Sequence, residues 1–159
     1  MAVSVAVIGS FKQHYDAVLS AIAAFRNAGW TVTSPAGTAV REPGIDFVRF
    51  VTDDAGDTDA LVQTRTLINI FSADLTYVVA PNGYVGRTTC YEIGRLVQAG
   101  KPIFLSQPPF DLPIFIPPDF VCTPDELINR VRVAGGTQWP FASGTGLIFD
   151  LERRLLNEA

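Results

Sequence analysis

Glu92 is the residue of this chain whose type and position most directly point to chemistry. It follows a short apolar run at 75–80 and a Pro-Asn-Gly turn at 81–83. The apolar run predicts a buried strand, and Thr88 or Thr89 can begin a helix that carries Glu92 in its first turn. The helix dipole favours the ionised form of a carboxylate placed there. Such a group can act as a nucleophile or stabilise a developing cation.

The same spacing also has a purely structural interpretation. Thr89 followed three residues later by Glu92 matches a capping box, in which the glutamate side chain bonds to the start of its own helix. Both roles are compatible only if the cap leaves the carboxylate free. The sequence leaves the two interpretations open.

The elements around Glu92 predict a βαβ unit. Its helix is expected to end near Gly100, because glycine commonly terminates helices, and the next strand follows at 103–105. A crossover helix makes this strand parallel to the one at 75–80. Ligands of open α/β sheets bind at the carboxyl ends of the strands. That end is the loop 81–89, so we expect a ligand site beside Glu92.

The remainder of the chain continues the alternation of strands and helices. Further strands are predicted at 3–8, 30–33 and 120–122, and further helices at 13–28, 59–72, 124–133 and 147–156. The predicted fold is α/β with three layers, a flavodoxin- or Rossmann-like parallel sheet of five strands in the order 2-1-3-4-5. No Gly-x-Gly-x-x-Gly follows the first strand, which argues against a dinucleotide fingerprint.

Composition is that of an ordinary globular domain. With 159 residues, 48% of them hydrophobic, the chain can form one core, and residues 1–159 are interpreted as a single domain. The net charge of −4 disfavours binding to a nucleic-acid polymer. No apolar run is long enough for a membrane span, and the N-terminus lacks the features of a secretory signal. Two cysteines do not make a disulfide framework, so a cytoplasmic location is expected.

The long connection at 36–57 is irregular, and loops of this length are often functional. Four aspartates cluster at its end: Asp53, Asp54, Asp57 and Asp59. Their pattern lacks the terminal glutamate of an EF-hand. A solvated acidic loop is therefore favoured over a metal site.

The block Tyr-Glu-Ile-Gly-Arg at 91–95 resembles the nucleoside 2-deoxyribosyltransferase superfamily, together with the strand before it and Gly-Lys-Pro-Ile at 100–103. The branch of 2'-deoxynucleoside 5'-monophosphate N-glycosidases is the closer likeness, since Gly9-Ser10 after the first strand also matches it. The resemblance covers residues 3–106, about two thirds of the chain.

This resemblance implies cleavage or base exchange at the N-glycosidic bond of a nucleoside or nucleoside 5'-monophosphate, with Glu92 as the nucleophile. The residues expected to bind the substrate are Gly9, Ser10, Phe11, Gly86, Arg87, Thr88, Thr89, Tyr91 and Thr66. Helix-start amides and the Thr88 and Thr89 hydroxyls can hold an anion, and Arg87 can add a charge-assisted contact. The expected partner is a small-molecule nucleoside or nucleotide, without a cofactor, metal, nucleic-acid polymer or membrane. A homo-oligomer is also implied, with the proline-rich segment 108–118 covering a neighbour's cleft.

Thr66 departs from the pattern of the resembled family. That position, eight residues before Asp74, is an aspartate in the family and works with the glutamate, whereas threonine cannot ionise. Either another acid serves, such as one from the loop 53–59, or the protein binds nucleotides without cleaving them. A phosphoribohydrolase acting on ribonucleoside monophosphates is a third alternative, because a glycine loop followed by a glutamate is loosely similar.

Overall fold

The computed structural model describes residues 2–41, 48–136 and 138–157. Within them lie the strands β1 (Ser4–Gly9), β2 (Thr31–Ser34), β3 (Leu75–Val79) and β4 (Ile103–Leu105). The helices are α1 (Tyr15–Asn27), α2 (Asp59–Ser72), α3 (Arg87–Gln98), α4 (Pro124–Ala134), α5 (Pro140–Ser143) and α6 (Leu147–Asn157). None of the helices in these ranges is long and apolar enough to cross a membrane.

The four strands form one parallel sheet in the order β2-β1-β3-β4. Successive β1 side chains point to opposite faces, so Val5 and Val7 pack with α1 and α4, while Ala6 and Ile8 pack with α2 and α3. Helices therefore cover both faces of the sheet. The predicted α/β class and the parallel sheet are confirmed.

The predicted fifth strand at 120–122 is not a strand in the described residues. Val121 makes only an isolated parallel bridge to Leu105. The chain before it is a 3-10 turn over Pro118–Phe120, and the adjacent Pro117 and Pro118 have no amide hydrogen to donate to a ladder. The predicted order 2-1-3-4-5 is therefore corrected to 2-1-3-4 for the part of the chain that is described.

The strand order reverses between β1 and β3, because β2 lies on one side of β1 while β3 and β4 lie on the other. At such a switch point, the turns after the strands diverge and leave a crevice at their carboxyl ends. At the opposite end, Asp74 ties β3 to β1 by accepting hydrogen bonds from the Ser4 amide and hydroxyl, both at 2.7 Å. These bonds lower the pKa of Asp74.

Candidate active site

A cavity of about 380 Å³ opens at the carboxyl end of β1, between the turns that follow β2 and β3. Its wall combines the end of β1, the start of α3, one side of α2, and residues of the connection after β2. That connection turns back on itself, since Val40 pairs antiparallel with Phe50. The volume falls in the range of about 300–1,000 Å³ that is usual for small-molecule sites.

Glu92 lies in the wall of this cavity, and only 6% of the residue is exposed. Helix α3 begins at Arg87, with Gly86 in an extended conformation as its N-cap, so Glu92 is in the second helical turn. The expected first-turn position is therefore wrong. The capping box between Thr89 and Glu92 is not formed, because the helix starts before Thr89.

Burial sets the protonation of Glu92. Desolvation raises the pKa of Glu92 from 4.5 to about 7, because burial penalises the charged form. Gln63 donates a hydrogen bond from Nε2 to Oε1 of Glu92 at 2.9 Å, and this bond offsets part of the rise. The expectation of a carboxylate held ionised by the helix dipole is thus corrected. The group exchanges its proton near neutral pH, as catalytic carboxyl groups often do.

The start of α3 forms a polar end of the cavity. Gly86, Arg87, Thr88 and Thr89 all line it, together with Ser10 from the turn after β1. The first amides of a helix have no acceptor within the helix, and the dipole places partial positive charge there. This end of the cavity is suited to an anionic group such as a phosphate.

Aromatic side chains form a second wall. The rings of Phe11 and Phe50 meet edge to face with their centroids 4.8 Å apart, and both line the cavity, as does Tyr84. Tyr15 packs against Phe11 and donates its hydroxyl to the Thr38 carbonyl at 2.7 Å, which holds the connection in place. Such rings offer a stacking surface to a planar ligand.

Comparisons of the chain with protein-family models, with curated proteins and with solved structures found no match. Function is therefore inferred from the cavity and from the residues that line it.

Two of the expected substrate-binding residues, Thr66 and Tyr91, are not placed to bind a ligand as the others are. Thr66 lines the cavity, but its hydroxyl donates to the Val62 carbonyl one turn earlier in α2, at 3.0 Å. Tyr91 lies outside the cavity; it is 49% exposed and accepts a hydrogen bond from Arg95 at 2.8 Å. The remaining expected residues line the cavity with Glu92: Gly9, Ser10, Phe11, Gly86, Arg87, Thr88 and Thr89.

Gln63 and Asp53 also line the cavity, although neither was among the residues expected to bind the substrate. Gln63 belongs to a row of polar side chains at spacing three along α2, with Thr66 and Asn69, and that row is the signal that identifies it. Asp53 belongs to the loop 53–59, which the sequence analysis names as a possible source of an acid, and the antiparallel pairing of the connection brings it to the cavity.

The other aspartates of the acidic loop are engaged within the protein. Asp59 pairs with Arg49 at 2.5 Å, Asp57 pairs with Arg65, and Asp54 accepts a hydrogen bond from the Gly56 amide at 3.0 Å. Among the described residues, no three histidine, cysteine or acidic side chains are grouped so that they could hold a metal ion.

Proposed function

We propose that the protein cleaves or exchanges the N-glycosidic bond of a nucleoside or nucleoside 5'-monophosphate, with Glu92 as the nucleophile. The observation that carries this proposal is the buried Glu92 carboxylate in a cavity with a polar end at the start of α3 and an aromatic wall. A nucleotide has the matching distribution of groups, with a phosphate, a sugar and a planar base. In this proposal, the sugar lies beside Glu92.

In the first step, an oxygen of Glu92 attacks the anomeric carbon, and the bond from that carbon to the base nitrogen breaks. The electron pair of that bond passes to the base, and a glycosyl ester of Glu92 forms. Water then attacks the anomeric carbon, the bond from that carbon to the Glu92 oxygen breaks with its electron pair returning to Glu92, and the proton lost by the water balances the expelled base. In an exchange reaction, a second base takes the place of water. Because the carboxylate is buried, water screens little of its attraction for the positive charge that develops on the sugar.

The pKa of Glu92, at about 7, supports this role at neutral pH. A substantial fraction of the carboxyl group is ionised there, and the hydrogen bond from Gln63 favours the ionised form. Nucleophilic attack requires that form. The rate is therefore expected to increase with pH through the region of 7.

A nucleotide-binding protein without turnover is the second candidate. It is favoured by Thr66, which stands where the resembled family has an aspartate and whose hydroxyl donates to Val62. This candidate predicts that nucleotides raise the melting temperature while no free base appears.

The test is incubation with deoxyribonucleosides, ribonucleosides and their 5'-monophosphates, followed by chromatography of the free base. We expect base release from at least one sugar series, faster for monophosphates because Arg87 and the start of α3 line the cavity. Glu92→Gln should reduce release by about 10³-fold or more. Glu152→Gln, on α6 and outside the cavity, is the matched control. Undiminished release by Glu92→Gln would refute the nucleophile, and release from ribonucleotides alone would favour the phosphoribohydrolase alternative.

We also propose that the protein forms a homo-oligomer through the proline-rich segment. Phe110 and Phe115 in this segment are 70% and 39% exposed, so both offer apolar surface that a second subunit could cover. Sedimentation at micromolar concentration is expected to show a species larger than the monomer. A purely monomeric protein would contradict the proposal.

A further inference from the structure

The cavity wall contains a buried hydroxyl, that of Thr89, which the proposed reaction leaves without a role. We propose that it hydrogen-bonds the 3'-hydroxyl of the substrate's sugar. This inference rests on the proposed function, in which Glu92 attacks the anomeric carbon. It makes Thr89 a residue that distinguishes one sugar from another, a role separate from holding an anionic group.

Thr89 lies deeper in the cavity than the residues before it. Arg87 and Thr88, which begin α3, line the cavity but are exposed. Thr89 also lines the cavity, and only 4% of the residue is exposed, close to the 6% of Glu92. Arg87 and Thr88 therefore suit a group at the mouth of the cavity, whereas Thr89 suits the part of a ligand that reaches Glu92.

The Thr89 hydroxyl has no hydrogen-bond partner among the described residues. A threonine within a helix can bond to the carbonyl four residues earlier, as Thr64 does to Ala60 at 2.8 Å. Thr89 makes no such bond to Val85. An unpaired buried hydroxyl costs free energy, so a ligand that supplies the partner gains from the contact.

The oxygen of this hydroxyl is reached from the cavity. Among the described residues, the buried side-chain atoms that lack both a partner and contact with solvent are Thr33 Oγ1 and Trp139 Nε1. Thr89 Oγ1 is not one of them, so solvent reaches it. Because nearly all of Thr89 is buried and the residue lines the cavity, that access is through the cavity.

Helix geometry fixes the position of Thr89 relative to Glu92. Residues three apart in a helix lie on the same side, with Cβ atoms about 5–6 Å apart. The buried residues of α3 are Thr89, Glu92, Ile93 and Leu96. The two polar members line the cavity, whereas the two apolar members pack in the core. The hydroxyl and the carboxyl group therefore face one ligand side by side.

The stereochemistry of a nucleoside matches this pair of groups. A nucleophile that displaces the base approaches the anomeric carbon from the face of the sugar opposite to the base. The 3'-hydroxyl projects from that same face in both ribose and 2'-deoxyribose. The 2'-hydroxyl of ribose is on the carbon next to the anomeric carbon, so it lies against the Glu92 carboxylate. The 3'-hydroxyl is one carbon further along the ring and is the one that Thr89 can reach.

The experiment compares Thr89→Val with the wild type on a nucleoside 5'-monophosphate that the wild type cleaves and on its 3'-deoxy analogue. Valine replaces the hydroxyl by a methyl group of similar shape, so the melting temperature should stay near that of the wild type. We expect kcat/KM to fall about 10- to 10²-fold on the substrate with the 3'-hydroxyl and less than about threefold on the analogue. Each variant is compared with the wild type on the same substrate, because removing the 3'-hydroxyl also changes the reactivity of the sugar.

Two further variants serve as controls. Thr89→Ser retains the hydroxyl and should keep most of the wild-type preference for the 3'-hydroxyl. Thr64→Val removes a hydroxyl that is exposed and outside the cavity, so kcat/KM should be unchanged on both substrates.

Two outcomes of the kinetic comparison would overturn the inference. An equal loss on both substrates in Thr89→Val would show that Thr89 only shapes its helix, and an undiminished preference for the 3'-hydroxyl would show that another group binds it. Failure of the proposed function is seen separately, as a wild type that releases no base from any nucleotide. Binding isotherms for the nucleotide and its analogue then test the contact: a preference of the wild type for the nucleotide that Thr89→Val loses would support it, and equal binding of both ligands to the wild type would overturn it.

Discussion

The chain contains the same four-residue pattern, Thr-x-x-Glu, at the start of two helices, and the two copies have opposite fates. In α4, Thr123 accepts from the Glu126 amide at 3.3 Å and Glu126 accepts from the Thr123 amide at 2.7 Å, which closes a capping box. In α3, Thr89 and Glu92 form no such box. Glu126 is exposed, and its hydrogen bonds to Thr123 lower its pKa, whereas burial raises the pKa of Glu92 to about 7.

The residue after each threonine explains the difference. Pro124 disfavours a helical conformation at Thr123, so α4 cannot begin earlier and Thr123 must be its cap. Thr89 is followed by Cys90, which imposes no such limit, and α3 begins at Arg87. Glu92 is thereby moved into the second turn, where it faces the cavity. A glutamate that would otherwise satisfy its own helix is left available to a ligand.

The largest expected effect separates the two glutamates by activity. Glu92→Gln should reduce base release by about 10³-fold or more, because the nucleophile is lost. Glu126→Gln should leave release unchanged, because Glu126 lies outside the cavity. Chromatography of free base measures both variants. A comparable loss of base release in Glu126→Gln would mean that activity depends on helix stability. The distinct role assigned to Glu92 would then be refuted.

The two glutamates should also have opposite effects on the pH dependence of the free energy of unfolding. The folded state holds the Glu92 proton more tightly than the unfolded state, so the free energy of unfolding falls as pH rises from about 4.5 to about 7 and is then level. Glu92→Gln should remove this penalty and stabilise the protein by up to about 3 kcal/mol above pH 7, with little change at pH 4. The lowered pKa of Glu126 acts the other way, so its contribution to stability is present near neutral pH and lost under acid conditions.

Urea denaturation at pH 4.5 and pH 8 measures this effect. The control is Glu126→Gln, which should lower the free energy of unfolding of the protein at pH 8 only. Destabilisation of Glu92→Gln at pH 8 would contradict burial as the cause of the raised pKa.

Gln63→Leu tests how the Glu92 carboxylate is held. The hydrogen bond from Gln63 lowers the pKa of Glu92, so its removal should raise that pKa further and move the rising limb of the pH–rate profile upward from about 7. At pH 7, a loss of about tenfold in kcat/KM is expected, in line with a hydrogen bond to a charged group. Asn69→Leu, in the same polar row but outside the cavity, is the control. A profile with its midpoint unchanged would show that Glu92 does not control the rate.

The smallest expected effect concerns the two threonines. Thr123→Val should destabilise the protein by about 1 kcal/mol, because the helix cap is lost while the shape of the side chain is kept. Thr89→Val should lower the free energy of unfolding by less than Thr123→Val does, since Thr89 caps no helix. Thermal unfolding of the two variants measures the difference. An equal cost would indicate that Thr89 also satisfies a helix start.

The parts of the molecule that local patterns determine were predictable from the sequence. The buried run 75–80 and the helices predicted at 59–72 and 124–133 all follow from neighbouring residues. The start of α3 could not be predicted, because Gly86, Thr88 and Thr89 are all residue types that can cap a helix. Asp53 reaches the cavity through pairing across the connection, and the amides of Phe120 and Val121 donate to carbonyls of a 3-10 turn, not to a neighbouring strand. The pKa of Glu92 depends on burial, which only the packed structure reveals.

The central claim is that Glu92 bonds covalently to the sugar, and trapping that ester tests it most directly. The protein is mixed with a substrate that it turns over, quenched in acid within the first turnover, and analysed by intact-mass and peptide mass spectrometry. A glycosyl adduct on the peptide that contains Glu92, absent from Glu92→Gln, is the predicted result. Release of base with no adduct at any time point, or an adduct on another residue, would contradict the account.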